Sequence, residues 1–302
     1  MERFRTVVQI ISAFLANCRL WITPSHPIYR GPLKHVCFPG LNCYSCPAAV
    51  WACPLGALQN VFASLKANLY AGKINLGLYV MGSIGIVASL VGRMPCAWFC
   101  PFGLIQDLLF RLRVPKLRFW PPLGVIRYVM LFFMVILLPI FISDQFGYGQ
   151  TWFCKYVCPV GTLEAGLPIL ALSPDLRSAI GMLFFNKLGL MFFFIGWSSV
   201  TRRPFCRCAC PLGLLLGFFN KVSWLRLKFN VDTCVDCQAC ELICPTGVRF
   251  ASGGDDINSN KCIRCFRCFS ACPGGAVTVE FSSIMKGEVD KIEGCHSNQE
   301  QG

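Results

Sequence analysis

The sequence predicts a mostly α-helical membrane protein with about four transmembrane helices, an internal pseudo-repeat and a small, cysteine-rich α+β domain near the C-terminus. Three observations support this fold class. Of the 302 residues, 55% are hydrophobic and only 14% are charged, whereas soluble domains carry about 25% charged residues. Long apolar segments recur up to residue 200, and the 21 cysteines fall in a few repeated spacings.

Four segments are apolar over the length needed to cross a bilayer, which is about 20 residues at 1.5 Å per residue. They cover residues 6–22, 74–92, 124–142 and 180–200. The first is the weakest, and the arginines before it would also suit a signal peptide. Because no small-residue cleavage site follows, we interpret it as an uncleaved helix.

Lysine and arginine are distributed unevenly between the two sides of these spans. Fourteen fall on the side that holds both termini, and six fall in the two opposite loops. Since basic residues accumulate on the cytoplasmic side, we predict a multi-pass protein of the bacterial or archaeal cytoplasmic membrane with both termini in the cytoplasm. The net charge of +13 follows this pattern, so we expect membrane lipid and no nucleic acid as a partner.

Composition changes near residue 225 and divides the chain into three parts. Residues 1–224 form the predicted membrane domain, 225–281 a soluble domain and 282–302 a polar tail. The soluble domain contains two runs of the form Cys-x2-Cys-x2-Cys-x3-Cys-Pro, the bacterial two-cluster ferredoxin pattern, in which the fourth cysteine of each run binds the other cluster. Zinc, the alternative, prefers paired Cys-x2-Cys knuckles.

The two runs therefore predict two [4Fe-4S] clusters, with iron bound through cysteine. The first would be held by Cys234, Cys237, Cys240 and Cys272, and the second by Cys262, Cys265, Cys268 and Cys244. The chain has three histidines and no Cys-x-x-Cys-His, so c-type haem is not supported.

A second pattern repeats beside the apolar spans, as CPLGALQ at 53–59, CPFGLIQ at 100–106, CPVGTLE at 158–164 and CPLGLLL at 210–216. A proline after the cysteine suits the first position of a helix, whose N-terminus then directs N–H groups at an anionic ligand. Three motifs have another cysteine four residues earlier, while the first has Ala49 there. One motif supplies two thiols at most, so two motifs must meet to complete a cluster.

The predicted topology decides which motifs meet. An inner membrane cluster would use Cys96, Cys100, Cys206 and Cys210, on the cytoplasmic side. One or more outer clusters would use four or more of the cysteines on the opposite side, Cys37, Cys43, Cys46, Cys53, Cys154 and Cys158. Packing cysteines and an outer-loop disulfide are the alternatives. Cys208 aligns with Trp98 and Tyr156 of the other motifs, so we predict a spare thiol.

The motifs CAWFCPFGLIQD and CRCACPLG, the four spans and the tandem runs resemble NapH/NosR-type membrane polyferredoxins, from about residue 73 onward. The resemblance implies a non-catalytic electron-transfer subunit of an anaerobic respiratory complex, with three or four [4Fe-4S] clusters in all. Other redox subunits, a quinone, or an outer-side cytochrome or flavin protein are its implied partners. The cysteine-rich loop at 37–56 departs from this family and suggests an added outer cluster.

Two functions remain open at this point. The chain either carries electrons between a cytoplasmic partner and the membrane or reduces a metal during maturation of another redox enzyme. The second function needs an exposed thiol, for which Cys18 and the Cys43-x2-Cys46 pair are candidates. A purely structural anchor leaves the Cys-Pro repeats unexplained. The candidate polar groups for a quinone site are Arg127, Lys187, Asp107 and Glu164; Lys187 stands out because it lies inside a predicted span.

Overall fold

The computed structural model is mostly helical and describes residues 2–19, 28–72, 77–178 and 180–281. The predicted tail at 282–302 lies outside the described residues. The helices are α1 (Glu2–Ala16), α2 (Pro54–Tyr70), α3 (Leu78–Val91), α4 (Pro95–Trp98), α5 (Pro101–Leu109), α6 (Pro121–Phe141), α7 (Pro159–Leu172), α8 (Pro174–Ser178), α9 (Met182–Val200), α10 (Pro204–Cys208), α11 (Pro211–Phe218), α12 (Ala239–Ile243) and α13 (Arg267–Ala271), with single 3₁₀ turns at Pro32–His35 and Phe219–Lys221.

Two of the described helices are long and apolar enough to cross a membrane. They are α6 and α9, with 21 and 19 residues, and they coincide with the predicted spans at 124–142 and 180–200. Helix α3, in the second predicted span, has 14 residues, and α7 is a further short apolar helix, which was predicted from its Cys-Pro motif but was not counted among the spans. Helix α1, in the first predicted span, has 15 residues and is too short to cross a membrane by itself.

Helix α1 has its polar and apolar faces reversed relative to a soluble protein. The side chains of Arg5 and Gln9 are buried, and Gln9 donates a hydrogen bond to the Cys100 carbonyl at 3.2 Å. Beyond Glu2 and Arg3 at its start, the exposed side chains of the helix are apolar, namely Phe4, Val7, Ile10, Ile11, Phe14 and Leu15. A helix on a water-soluble domain turns its apolar stripe inward, so this outward apolar face suits a lipid environment.

Prolines explain the local shape of α6 and α7. Each contains a wide, π-type stretch, Met130–Leu137 in α6 and Thr162–Gly166 in α7. Each stretch ends two residues before a proline, Pro139 or Pro168. Because proline has no N–H, it removes one α-helical hydrogen bond, and the preceding carbonyls take more distant partners.

The C-terminal domain is built on a two-stranded antiparallel sheet. Strand β1 (Leu225–Phe229) pairs with β2 (Val277–Phe281) in a register that places Leu225 opposite Phe281. Helices α12 and α13 each follow the second cysteine of a ferredoxin run. The small core beneath them contains Leu227, Cys240, Val248, Phe250, Ile257 and Val277.

A buried polar hub joins this domain to the membrane helices. The Arg93 guanidinium donates to the Asn260 carbonyl at 2.8 Å and to the Cys206 carbonyl at 2.6 Å. The side-chain amide of Asn220 donates to the Cys262 carbonyl at 2.8 Å, while its oxygen accepts the Arg93 backbone N–H at 2.9 Å. Buried polar groups favour one geometry in which all are paired, so the hub fixes how the two domains meet.

A buried ion triad ties α1, α5 and the start of α10 together. The Asp107 carboxylate pairs with Arg203 at 2.6 Å and with Arg5 at 3.0 Å. Burial opposes ionisation of this carboxyl, but the charge and hydrogen bonds of Arg203, followed by the charge of Arg5, outweigh burial and hold the pKa of Asp107 well below its usual range. The carboxylate therefore stays charged wherever the protein is folded at ordinary pH.

Replacing Asp107 by asparagine should strongly destabilise the fold, because two buried guanidinium groups lose their counter-charge. We expect Asp107→Asn to lower the free energy of unfolding by about 3–5 kcal/mol, measured by equilibrium unfolding in detergent. Because the pKa is lowered in the folded state, the wild-type stabilisation should persist above about pH 4 and be lost as the pH falls further.

The matched control is Glu280→Gln, which breaks the exposed Lys228–Glu280 pair on the sheet. Exposed pairs contribute about 1 kcal/mol or less, so this variant should unfold almost like the wild type. Equal stability of the two variants would contradict a structural role for the triad.

Candidate iron–sulfur sites

Four helices begin in the same way. Cys53, Cys100, Cys158 and Cys210 are the N-cap residues of α2, α5, α7 and α11, with a proline at the first helical position. In each case the backbone N–H of the glycine three residues later donates to the cysteine sulfur, at 3.3 Å for Gly213 and Cys210. The predicted helix starts are therefore confirmed, and each directs an N–H group at a thiol.

The inner site brings together four buried thiols from two motifs, those of Cys96, Cys100, Cys206 and Cys210. Burial, and then the neighbouring thiols of Cys206 and Cys96, raise the pKa of Cys100. Burial, and then the same two thiols, also raise the pKa of Cys210. These are the four residues that the sequence predicted to share a site.

The outer site consists of four thiols as well, from the six that the sequence offered. They are Cys43, Cys53, Cys154 and Cys158, and all four border one cavity. Burial, and then the thiols of Cys158, Cys53 and Cys43, raise the pKa of Cys154. The first motif has Ala49 at the position that Cys96 holds in its own motif. Cys43 from the preceding loop thus supplies the thiol that Ala49 lacks.

The other two outer cysteines have different main neighbours, although Cys37 borders the same cavity. Cys37 is hydrogen-bonded to Ser83 of α3, and Cys46 lies near Lys34 and Glu164. Cys43 and Cys46 share one turn, in which the Cys46 N–H donates to the Cys43 carbonyl at 3.1 Å, and both lie near Lys34. Their use as a thiol pair stays a prediction. No disulfide joins any of the cysteines in the described ranges, and Cys18 is exposed.

The two sites repeat one further contact. Gln106, six residues after Cys100, donates its side-chain amide to the Cys206 sulfur at 3.1 Å. Gln59, six residues after Cys53, donates to the Cys154 sulfur at 3.2 Å. Each glutamine is buried and reaches the other motif of its own site. The sequence showed this signal in CPLGALQ and CPFGLIQ, but the glutamines were not recognised as site residues.

The ferredoxin runs form the other two groups. In one group, burial raises the pKa of Cys268, and the nearby thiols of Cys262, Cys265 and Cys244 raise it further. In the other group, burial, then the charge of Glu241 and then the thiol of Cys272 raise the pKa of Cys240. The remaining two cysteines of this group are nearer to solvent, since Cys234 is half-buried and Cys237 is exposed.

The backbone around the ferredoxin thiols repeats as well. Asp236 and Gln238 in the first run, and Arg264 and Phe266 in the second, all have positive φ between 48° and 56°. Non-glycine residues adopt this conformation at a cost and mostly at functional sites. The same two positions are strained in both runs, so both chain segments wrap in the same way.

These thiol groups suit an iron–sulfur cube better than a single ion. Among the described residues no three His, Cys, Asp or Glu side chains are placed to hold one metal ion, and tetrahedral zinc would need thiolates about 2.3 Å from a common centre. The sulfurs also accept N–H donors, including Val248 to Cys244 at 3.4 Å and Ala276 to Cys272 at 3.3 Å. Such donors stabilise an anionic cluster.

The inner site adjoins the second ferredoxin group. Arg203 is fully buried, and its pKa is raised despite burial because Asp107, and then the thiols of Cys206 and Cys265, surround it. Trp98, between two inner-site cysteines, stacks edge-on against Phe266 with ring centroids 6.0 Å apart. One guanidinium therefore lies between a thiol of each group.

The inner and outer sites also adjoin one another, which corrects the predicted topology. The backbone of Leu41 hydrogen-bonds the Cys100 thiol, and that of Asn42 hydrogen-bonds the Cys53 thiol. Consecutive Cα atoms are only about 3.8 Å apart, whereas the topology predicted sites on opposite faces of a bilayer about 30 Å thick. The segment folds back among the helices, with Gly40 so close that an added Cβ would lie 3.0 Å from the Cys100 Cα.

The outer site opens into a cavity of about 970 Å³. Its walls include Tyr79, Ile169 and Phe184, together with Lys187, whose ammonium donates to the Cys154 carbonyl at 3.3 Å. Of the other polar candidates for a quinone site, Glu164 accepts the Cys43 backbone N–H at 2.7 Å. Asp107 belongs to the ion triad, and Arg127 donates to Asn260 at 2.8 Å. Only Lys187 and Glu164 are therefore beside the outer site.

Comparison with known proteins places these sites in context. The family described as "4Fe-4S binding domain" matches residues 50–77, 76–119, 126–167 and 184–232, and the family "4Fe-4S dicluster domain" matches 226–273. No solved structure matches.

Several relatives cover much of the chain. The Uncharacterized protein MJ0750 of Methanocaldococcus jannaschii is 28% identical over 73% of this chain and 86% of its own length. The methylamine utilization ferredoxin-type protein MauN of Methylorubrum extorquens is 29% identical over 76% of this chain and 75% of its own. The regulatory protein NosR of Pseudomonas aeruginosa is 26% identical over 55% of this chain and 22% of its own.

The three thiols of CRCACPLG should differ in whether the inner cluster depends on them. Cys208 is buried, and burial followed by the Cys206 thiol raises its pKa to about 12, but its place in the motif matches Trp98 and Tyr156 and not a ligand cysteine. We expect Cys208→Ser to retain the inner cluster's electron paramagnetic resonance signal and Cys210→Ser to lose or alter it. Loss of the signal in Cys208→Ser would show that the motif alignment is wrong.

The paired glutamines offer a reciprocal test of the repeat. Hydrogen bonds to cluster sulfurs raise the reduction potential, so Gln106→Leu should lower the midpoint potential of one membrane cluster and Gln59→Leu that of the other. Redox titration followed by electron paramagnetic resonance measures both clusters in one sample. If either variant moves both potentials equally, or neither, the two sites are not built as repeats.

Proposed function

We propose that this chain, which belongs to the 4Fe-4S binding domain family, is an electron-transfer subunit of an anaerobic respiratory membrane complex. It is an iron–sulfur protein with several [4Fe-4S] clusters. The observation that supports the proposal most strongly is that four thiol groups follow one another without a gap. A [4Fe-4S] cluster accepts and releases one electron at a time, so such a series can carry electrons.

We assign one cluster to each group. Two are the ferredoxin groups with the ligands predicted above. The third is the inner site, and the fourth is the outer site with Cys43, Cys53, Cys154 and Cys158. Cys37, Cys46 and Cys208 are left without a ligand role. Motif position supports every assigned residue except Cys43, which comes from the loop before α2. In each group, burial and, after it, thiols of the same group also raise the pKa of one member: Cys240, Cys268, Cys210 or Cys154.

Solvent exposure gives the series a direction from the surface inward. The group with Cys234 and Cys237 is the most exposed, and the group with Cys262 and Cys265 is packed against the membrane helices. The inner site is buried, and the outer site is partly buried and opens into a cavity. We infer that a soluble cytoplasmic donor or acceptor docks at the exposed group. The protein carries out no bond chemistry of its own in this reading.

The exposed apolar surface supports a membrane position for four helices. Besides the outward face of α1, large apolar side chains are exposed on α3, α6 and α9, including Leu78, Ile86, Phe141, Met182 and Phe193. We infer that these helices lie in the cytoplasmic membrane and that the ferredoxin domain is on the cytoplasmic side. The short α3 and α7 would then reach only part of the way across.

The large cavity at the outer site could hold the molecule that exchanges electrons with the last cluster. Its walls are mostly apolar, with Lys187 among the polar side chains that border it, and Glu164 accepts the backbone N–H of the neighbouring Cys43. Pockets of this size, roughly 300–1,000 Å³, accommodate small organic ligands. We propose that a quinone within the membrane, or an outer-side redox partner that reaches the same opening, exchanges electrons there.

Iron content and electron flow together test the four-cluster series. The full chain, purified without oxygen, should contain about 16 iron atoms, and Cys43→Ser should contain about 12. In vesicles that enclose ferricyanide, external dithionite should bleach it through the wild-type protein, and we expect Cys43→Ser to slow this at least about tenfold because the last site is lost.

Cys37→Ser is the matched control from the same loop, since Cys37 lies outside the outer group. It should keep both the iron content and the rate of the wild type. Equal rates in Cys43→Ser and the wild type would contradict the series, and an iron content of about 12 in the wild type would remove the outer cluster from it.

A further inference from the structure

A second large cavity lies at the opposite end of the membrane helices from the outer-site opening. It has a volume of about 750 Å³ and is enclosed by the loop before α6, the residues after α9 and the ferredoxin domain. Pro121, the first residue of α6, and Thr201, the residue after α9, both border it. The cavity is therefore level with the ends of the two helices that are long enough to cross a membrane.

The walls of this cavity are strongly basic. They carry six arginines and one lysine, against two carboxylates. The lysine, Lys261, is paired with Asp255 at 2.6 Å, and the other carboxylate, Glu241, accepts hydrogen bonds from Ser252. Within the described ranges no ion pair is formed by any of the six arginines, Arg93, Arg118, Arg127, Arg202, Arg207 and Arg249.

Two of these arginines are almost completely buried, with 1% exposure for Arg93 and 4% for Arg127. Each has an Nε atom without a hydrogen-bond partner. Arg207 lies beside them, with its guanidinium carbon 4.0 Å from the centre of the Phe119 ring. Arg93 lies near the Cys206 and Cys210 thiols, and Arg127 lies near that of Cys210, so an inner cluster would offset part of their charge. Buried cations are costly without a counter-charge, and this wall, with Arg207 added, therefore favours an anion.

The neighbouring thiols account for only part of this charge. Cys244 borders the cavity, and its thiolate would attract Arg207 and Arg202. Arg118 and Arg249 are exposed at the rim, on the loop before α6 and on the ferredoxin domain. A cluster ligand therefore explains the inner arginines in part and leaves the two rim arginines without a role.

We propose that this cavity binds a phosphate-bearing anion, in the position of an anionic lipid head group. Guanidinium groups match phosphate oxygens in geometry and charge, and basic pockets between transmembrane helices on the cytoplasmic side bind such head groups. Trp120, next to Pro121, is 66% exposed, as is typical of aromatic side chains at a membrane surface. The lipid source rests on the membrane position proposed above; the phosphate site does not.

Lipid binding by the full, cluster-containing chain tests the proposal. The protein is placed in nanodiscs of phosphatidylcholine, and phosphatidylglycerol or cardiolipin is titrated in and followed by native mass spectrometry. We expect about one tightly bound anionic lipid per chain. The double variant Arg118→Gln/Arg249→Gln should weaken its binding roughly 30-fold, as expected for the loss of two basic residues that contact an anionic head group.

The matched control is Arg111→Gln/Arg113→Gln, which removes the same charge from exposed positions of the same loop outside the cavity. It should change binding less than twofold, and unchanged iron content confirms that both variants fold. Equal weakening in both double variants, or equal binding of phosphatidylcholine, would overturn the proposal. Binding of inorganic pyrophosphate in detergent, lost only in the cavity variant, would support the site with a soluble phosphate as its source.

Discussion

A single constraint organises the membrane part of the chain: one Cys-Pro motif places only two thiols at the start of a helix. A four-thiol site therefore requires two helices to begin at the same point in space. The inner site joins the starts of α5 and α11, and the outer site those of α2 and α7. The segments that connect these helices must therefore bring the four helix starts back to two neighbouring sites.

Four thiolates gathered in an apolar interior need compensating positive charge, and the fold provides it in layers. Helix N-terminal amides face the capping cysteines, and a buried glutamine reaches a second sulfur in each membrane site. At the inner site Arg203 and Arg93 add full charges. Asp107 in turn keeps Arg203 and Arg5 in place, so the ion triad and the thiol site depend on one another.

The sequence predicted the features that follow a local rule. Cysteine before proline predicts a helix start, and all four motif helices begin as predicted. The structure also gathers the four thiols of the inner site, whose role as cluster ligands stays a prediction. Cys43 could not be selected among the outer cysteines, because it comes from a loop whose path depends on long-range packing. Of the four predicted spans, only α6 and α9 are long enough to cross a membrane as described, because α1 and α3 have 15 and 14 residues. The number of spans therefore stays a prediction.

The missing cysteine at position 49 explains why the two membrane sites are neighbours. In the other three motifs the two thiols are joined by a short helical turn, which keeps the chain within one site. In the first motif Cys43 supplies the fourth thiol from a loop, and extended residues before it are free to reach further. Leu41 and Asn42 consequently contact one thiol of each site. The departure from the repeat thus brings the outer site within reach of the inner one, which an electron carrier requires.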